Sequence, residues 1–176
     1  HAMGRVESEA QRMTSLVEDL LLLARLDEGR PLEQEEVDLT MLAVDAVSDA
    51  HAASSDHHWQ LDVPEEPITV VGDRARLHQV LTNLLANARV HTPVGTSVVT
   101  TLRHEGDQVR MSVTDNGPGI PEALQDKVFE PFTRGDDARA RTTGSTGLGL
   151  SIVSAVGAAH GGRVEVESRP GRTSFS

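Results

Sequence analysis

Residues 108–127 read QVRMSVTDNGPGIPEALQDK, and the architecture follows from how this run is taken. From Gln108 to Thr114 apolar and polar side chains alternate, the period of a half-buried strand. Asp115 to Pro121 holds two glycines and two prolines, a composition that turns the chain. A short helix ending near Lys127 follows. The glycines let a ligand approach the backbone closely, and the Asp115 carboxylate can accept a hydrogen bond from an exocyclic amine. A tight turn with a capping Asp accounts for the same residues, and both readings stand at this point.

Working upstream, Ser97–Arg103 forms a hairpin with this strand through the polar turn His104–Asp107. Asp73 caps a long helix reaching about Val90. Before it, His58–Val63 and Ile68–Val71 read as strands, Thr40 caps a helix running to about Ser54, and Glu36–Leu39 is a short strand. Downstream, Thr133–Gly147 is rich in Gly, Thr, Asp and Arg with no apolar period and reads as a mobile loop. Leu148–His160 is helical and stops at Gly161-Gly162; Arg163–Glu167 alternates as a strand before the turn Pro170-Gly171. The order predicts an α/β (α+β) two-layer sandwich, one mixed sheet with helices on one face, plus an N-terminal helix.

That first helix spans about Arg5 to Asp27. Met13, Leu16, Val17, Leu20, Leu23 and Ala24 recur at helical spacing, and Leu21, Leu22 and Leu26 widen the stripe. So broad a stripe suits a helical bundle or a dimer seam. Gly29 and Pro31 end the helix. His1-Ala2-Met3 reads as a cloning remnant and Thr173–Ser176 as a strand cut short, so the expected division is 1–3 remnant, 4–30 helix, and 31–176 main domain.

The 176 residues suffice for one core, which must be built from Leu, Val, Ile and Ala because the chain has one Trp, three Phe and no Tyr. With no Cys, disulfides and thiolate metal sites are excluded. A net charge of −11 argues against nucleic acid or an anionic membrane as a partner. An anionic ligand must therefore be held by a local arrangement of donors.

Three further segments offer such donors. Asn83 and Asn87 are four residues apart, on one face of the long helix, while Leu81, Leu84, Leu85 and Ala88 point to the core. Their amides can offer oxygen to a hard cation and nitrogen to phosphate, or they are simply solvated polar residues. Gly144–Ser151 is a glycine-rich loop opening a helix, where backbone N–H groups and the helix dipole favour an anion; flexible linkage and close helix packing explain it as well. Its spacing is neither a Walker loop nor a dinucleotide fingerprint. In Val128–Arg134, Phe129 and Phe132 anchor the base of the loop, and Arg134 is either a phosphate cation or a surface residue.

In this order and spacing the four segments resemble the sensor histidine kinases of the GHKL ATPase superfamily. The N box resembles Asn83 to Pro93, the first glycine box Asp115 to Gly119, the F box Phe129 to Phe132, and the second glycine box Gly147-Leu148-Gly149-Leu150. His160-Gly161-Gly162 and Gly171 to Phe175 resemble the closing hairpin, and Arg12 to Leu26 the second helix of the family's dimerisation domain. The resemblance implies ATP and Mg²⁺ as ligands. Asp115 would take the adenine amine, with Gly117, Gly119 and Ile120 lining the base and His91 nearby. Asn87 would hold Mg²⁺ and Asn83 would assist. Phe129 would line the site, Thr133–Gly147 would form a lid bringing Arg134 to the phosphates, and Gly147, Leu148, Gly149 and Leu150 would bound the phosphate end. Where the family often carries a basic residue, Val90 stands here and Arg89 precedes it, about 100° away around the helix.

The resemblance also implies a protein-histidine kinase within a homodimeric parent, partnered by its own dimerisation domain and a response regulator. This chain would be the cytoplasmic part of a plasma-membrane protein, touching the membrane only through upstream segments. None of the eight His residues matches an acceptor followed by an acidic residue on a long helix; His104-Glu105 matches only as a dipeptide in a turn. Three alternatives remain: a gyrase- or Hsp90-type ATPase, an anti-sigma serine kinase, and a binding module with a decayed site. The first needs a glutamate at position 83, where an amide cannot act as a base. The helix at Arg5–Asp27 argues against the second, and intact Asn87 and Asp115 argue against the third.

Overall fold

A computed structural model describes residues 2–133 and 146–176. The elements are α1 (Ala2–Asp27), β1 (Glu35–Asp38), α2 (Leu39–Ala53), β2 (His58–Asp62), β3 (Thr69–Gly72), α3 (Arg74–His91), β4 (Ser97–Glu105), β5 (Gln108–Asp115), α4 (Glu122–Gln125), α5 (Gly149–Ala159), β6 (Val166–Arg169) and β7 (Arg172–Phe175). Five strands form one mixed sheet in the order β2-β4-β5-β7-β6. The β2–β4 pair is parallel and the other pairs antiparallel. In place of a single sheet there is a second, two-stranded one, β1 against β3.

Burial alternates along β4, with Val98, Thr100 and Leu102 inward. That inner face meets α2 through Leu42, Ala43 and Ala46, α3 through Leu81, Leu84, Leu85 and Ala88, and α5 through Ile152, Val153 and Val156. Alternation on the sheet and a helical stripe on each helix are the two periods a two-layer core requires. Phe175 of β7 closes one end, edge-on to Phe129 at 6.1 Å between ring centroids.

Several local expectations shift for identifiable reasons. Asp38, not Thr40, caps α2: its Oδ1 accepts from Met41 N at 2.9 Å, and β1 consequently ends at Asp38. The Thr40 hydroxyl instead accepts from Ile68 N at 3.0 Å, joining α2 to the start of β3. The strand expected at Arg163–Glu167 lies at Val166–Arg169, because β6 follows the register of β7; Glu165 and Ser176 still exchange both backbone hydrogen bonds. α1 begins earlier than its periodicity sets, at Ala2, and its wide stripe divides into two faces. Leu16, Leu22, Leu23 and Leu26 pack into the core, where α1 lies against α5, while Met13, Val17, Leu20 and Leu21 stay exposed.

Candidate functional site

Asp115 is the last residue of β5, between Val98 of β4 and Thr173 of β7. It is only 7% exposed, and its Oδ1 accepts a hydrogen bond from Gly117 N at 2.9 Å. Burial raises its pKa above the ordinary carboxylate range; the Gly117 N–H and nearby His57 act in the opposite sense. The turn that follows is clamped from two sides. A Cβ at Gly117 would stand 2.7 Å from Thr92 Cγ2, so glycine is what lets the end of α3 press on the turn. Gly117 O accepts from Gly171 N at 2.9 Å, and Ile120 N donates to Ser168 Oγ at 2.7 Å, itself 2.7 Å from Thr173 Oγ1. Gly119 has φ +87° and lies so close to the β6–β7 turn that a Cβ would meet Arg169 O at 2.7 Å.

The second glycine segment meets the same helix further up. Asn83 Nδ2 donates to Gly149 O at 3.2 Å. Gly149 begins α5, whose N-terminus has no side-chain cap among the described residues, which offers its first-turn N–H groups to an anion. Leu148, fully buried, fixes this helix start in the core, and Leu150 is half-buried beside it. Gly147, with φ +76°, accepts from Phe132 N at 2.8 Å and so joins this segment to the Phe129–Phe132 turn.

α3 therefore touches both glycine segments, at Asn83 and at Thr92, about 14 Å apart along the helix axis at the α-helical rise. That span suits an extended nucleoside triphosphate lying along α3, base at Asp115 and phosphates at the α5 N-terminus. Asn87 lies between the two points, half-buried, and no hydrogen bond engages its side chain among the described residues. Nor do three His, Cys, Asp or Glu side chains converge anywhere among those residues. A neutral amide oxygen without a carboxylate cage fits Mg²⁺, which completes its shell with waters and substrate phosphates rather than protein groups.

His91 ends α3 at the exposed surface. Arg134, expected on the phosphates, lies outside the described residues, as does most of the expected lid. The sequence reading gave no role to His57, Thr92 or Ser168, and none to Thr173 beyond its hairpin. His57, 5% exposed, lies 2.8 Å by Nε2 from Thr92 Oγ1, which donates to Ala88 O at 2.6 Å. Only the Thr immediately after the helix offered a signal, as a side chain able to turn back on the last turn.

Comparison with known proteins fits this geometry. Residues 72–176 match the family model of histidine kinase-, DNA gyrase B- and HSP90-like ATPases. The chain belongs to this family, in its sensor histidine kinase branch. It is 64% identical over 176 residues to the protein of Mycobacterium tuberculosis described as probable sensor histidine kinase TcrY, covering 100% of this chain and 37% of that protein. The chain thus spans little more than a third of that relative's length. Among solved structures, full-length ShkA in complex with AMPPNP superposes with a TM-score of 0.79 at 31% identity, over 95% of this chain and 36% of that one. The histidine kinase ThkA in complex with the response regulator protein TrrA gives 0.75 at 27% identity, over 99% and 48%.

Proposed function

We propose that this chain binds Mg·ATP and presents the γ-phosphate to a histidine on a dimerisation domain. The observation that carries this reading is the contact of α3 with both glycine segments, one beside a buried carboxylate and one at an uncapped helix start. Asp115 accepts from the adenine amine; Gly117, Gly119 and Ile120 shape the wall beside the base. Gly147 to Leu150 supply backbone donors at the phosphates, Phe129 supports that end, and Arg134 adds a fixed cation. Asn87 holds Mg²⁺, whose charge offsets that of the phosphates. Asn83 orients Gly149, and its own amide nitrogen is already engaged there. Such transfer depends on positioning and charge stabilisation more than on covalent chemistry by the protein.

The acceptor histidine belongs to another helix. His104 lies on the exposed end of β4, His57 is buried, and His160 is tied to Asp73 N at 3.0 Å. The exposed α1 residues Met13, Val17 and Leu20 support a homodimeric parent with α1 at the seam. That ThkA is seen with a response regulator supports such a partner here. Among the described residues no helix is long and apolar enough to cross a membrane, and a cytoplasmic place in a membrane-anchored parent is carried over from the family. Calorimetry with a non-hydrolysable ATP analogue and Mg²⁺ tests the binding, and failure to bind refutes it. Incubation with γ-labelled ATP tests the missing acceptor: stable label on this chain refutes that part.

A further inference from the structure

His57 is a buried histidine that contributes no atom to the nucleotide in the pose along α3, yet it is built into the wall behind it. Thr92 has one hydroxyl hydrogen, and it goes to Ala88 O at 2.6 Å. His57 Nε2, 2.8 Å from the same oxygen, must therefore be the donor of that pair. The remaining ring nitrogen, Nδ1, faces Ser54 Oγ at 3.5 Å, and the ring leans on Trp59 at 5.5 Å between centroids. Trp59 is itself fixed by donation from Nε1 to Ser54 O at 2.8 Å. The imidazole is thus held on three sides, by Ser54 of the α2–β2 connection, Trp59 of β2 and Thr92 at the end of α3.

With its oxygen pinned between Ala88 O and His57 Nε2, Thr92 has one rotamer, and its methyl group points at Gly117. Gly117 is the residue whose N–H orients the Asp115 carboxylate. A continuous path of contacts therefore runs from His57 through Thr92 and Gly117 to Asp115.

We propose that His57 is a positioning residue for base recognition, acting through Thr92 to hold the Gly117 turn so that Asp115 meets the exocyclic amine of the base squarely. The proposal rests on the nucleotide-binding reading and adds to it a determinant of base specificity outside the four motifs. A site built to hydrogen-bond a ligand group discriminates strongly only while its own acceptor is held in place.

The test compares ATP with purine riboside triphosphate, which lacks the 6-amino group, each titrated with Mg²⁺ into the 176-residue chain and its variants. The unmutated chain prefers ATP. His57→Leu keeps an apolar filling but removes the donor, and the preference falls by about five- to tenfold, the worth of one buried hydrogen bond. His57→Gln, which carries an N–H at nearly the same reach, restores most of it. Thr92→Val keeps volume and the methyl contact while removing the hydroxyl, and lowers the preference as His57→Leu does. This second variant keeps the question answerable if His57→Leu does not fold.

Equal weakening of both triphosphates in every variant, or His57→Gln behaving as His57→Leu, overturns the positioning role. An unmutated chain that binds both triphosphates alike fails at an earlier step, the base contact of Asp115, and takes the proposal down with it. An unmutated chain that prefers ATP, with variants that keep the preference, removes the role of His57 alone.

Discussion

Replacing Asp115 by asparagine separates recognition from folding. The carboxylate is 7% exposed, and one of its oxygens is engaged by Gly117 N. The amide of Asp115→Asn can keep that bond through its own oxygen but presents an NH₂ group where the second carboxylate oxygen stood. The base amine then faces a donor instead of a charged acceptor. A hydrogen bond to a charged group contributes roughly 1.5–3 kcal/mol, which is about a 10- to 150-fold loss of ATP affinity. Folding follows a different sign. Because burial raises the folded-state pKa of Asp115, its contribution to stability is greatest below the unfolded value and is lost as pH rises through the folded one. Above that raised pKa the wild type carries the cost of a buried, ionised carboxylate, and the neutral amide of the variant does not. Calorimetric titration with Mg·ATP at several pH values, beside thermal melts of the ligand-free chain, reads both quantities. Wild-type affinity should climb with pH through the raised pKa and then level; D115N should be weak and flat, with a melting point no lower. Undiminished affinity in D115N, or a loss that simply tracks a lower melting point, refutes the reasoning.

Thr100 offers a test inside the core: its hydroxyl is fully buried and has no hydrogen-bond partner among the described residues, so Thr100→Val should stabilise by about 1 kcal/mol, raising the melting point by about 2–4 °C. A fall would mean that the hydroxyl is satisfied in solution. Gly149→Ala meets only ordinary contact, 3.8 Å from Asn83 Cβ, so the melting temperature should hold while ATP weakens more than adenosine; equal weakening of both removes Gly149 from the phosphate end. Gly119→Ala, at positive φ and against Arg169 O, should cost about 2 kcal/mol or more and lower melting by about 4–8 °C; an unchanged melt would show that the turn can relax.

Where a signal is local and periodic, the sequence was sufficient. Asp73 caps α3 as expected, accepting from Arg76 N at 3.1 Å, and β4 and β5 form the expected hairpin with slightly longer arms. The phase of α3 and the glycine turns were legible because each is encoded within a few residues, whereas the contact of Asn83 with Gly149, 66 positions on, was not. What was hidden depends on partners far apart in the chain. The parallel pairing of β2 with β4 and the separate β1–β3 sheet are set by which strands find each other, and no single segment records that choice. Asp38 and Thr40 compete for one cap within three residues, and Ile68 N, from β3's approach, decides between them. His57 gave no sign of its place because it stands in a connection with no motif of its own and its partner Thr92 lies 35 positions away.

The divided stripe of α1 bears on how the first helix is held against the rest of the chain. The main domain is attached to the helix by a handful of leucines, with Leu22 buried to 6% exposure and Leu16, Leu23 and Leu26 around it. Each such side chain contributes about 1.5–3 kcal/mol when fully covered and less when partly so. A rival apolar surface would compete with α5 for those leucines and not with any strand of the sheet.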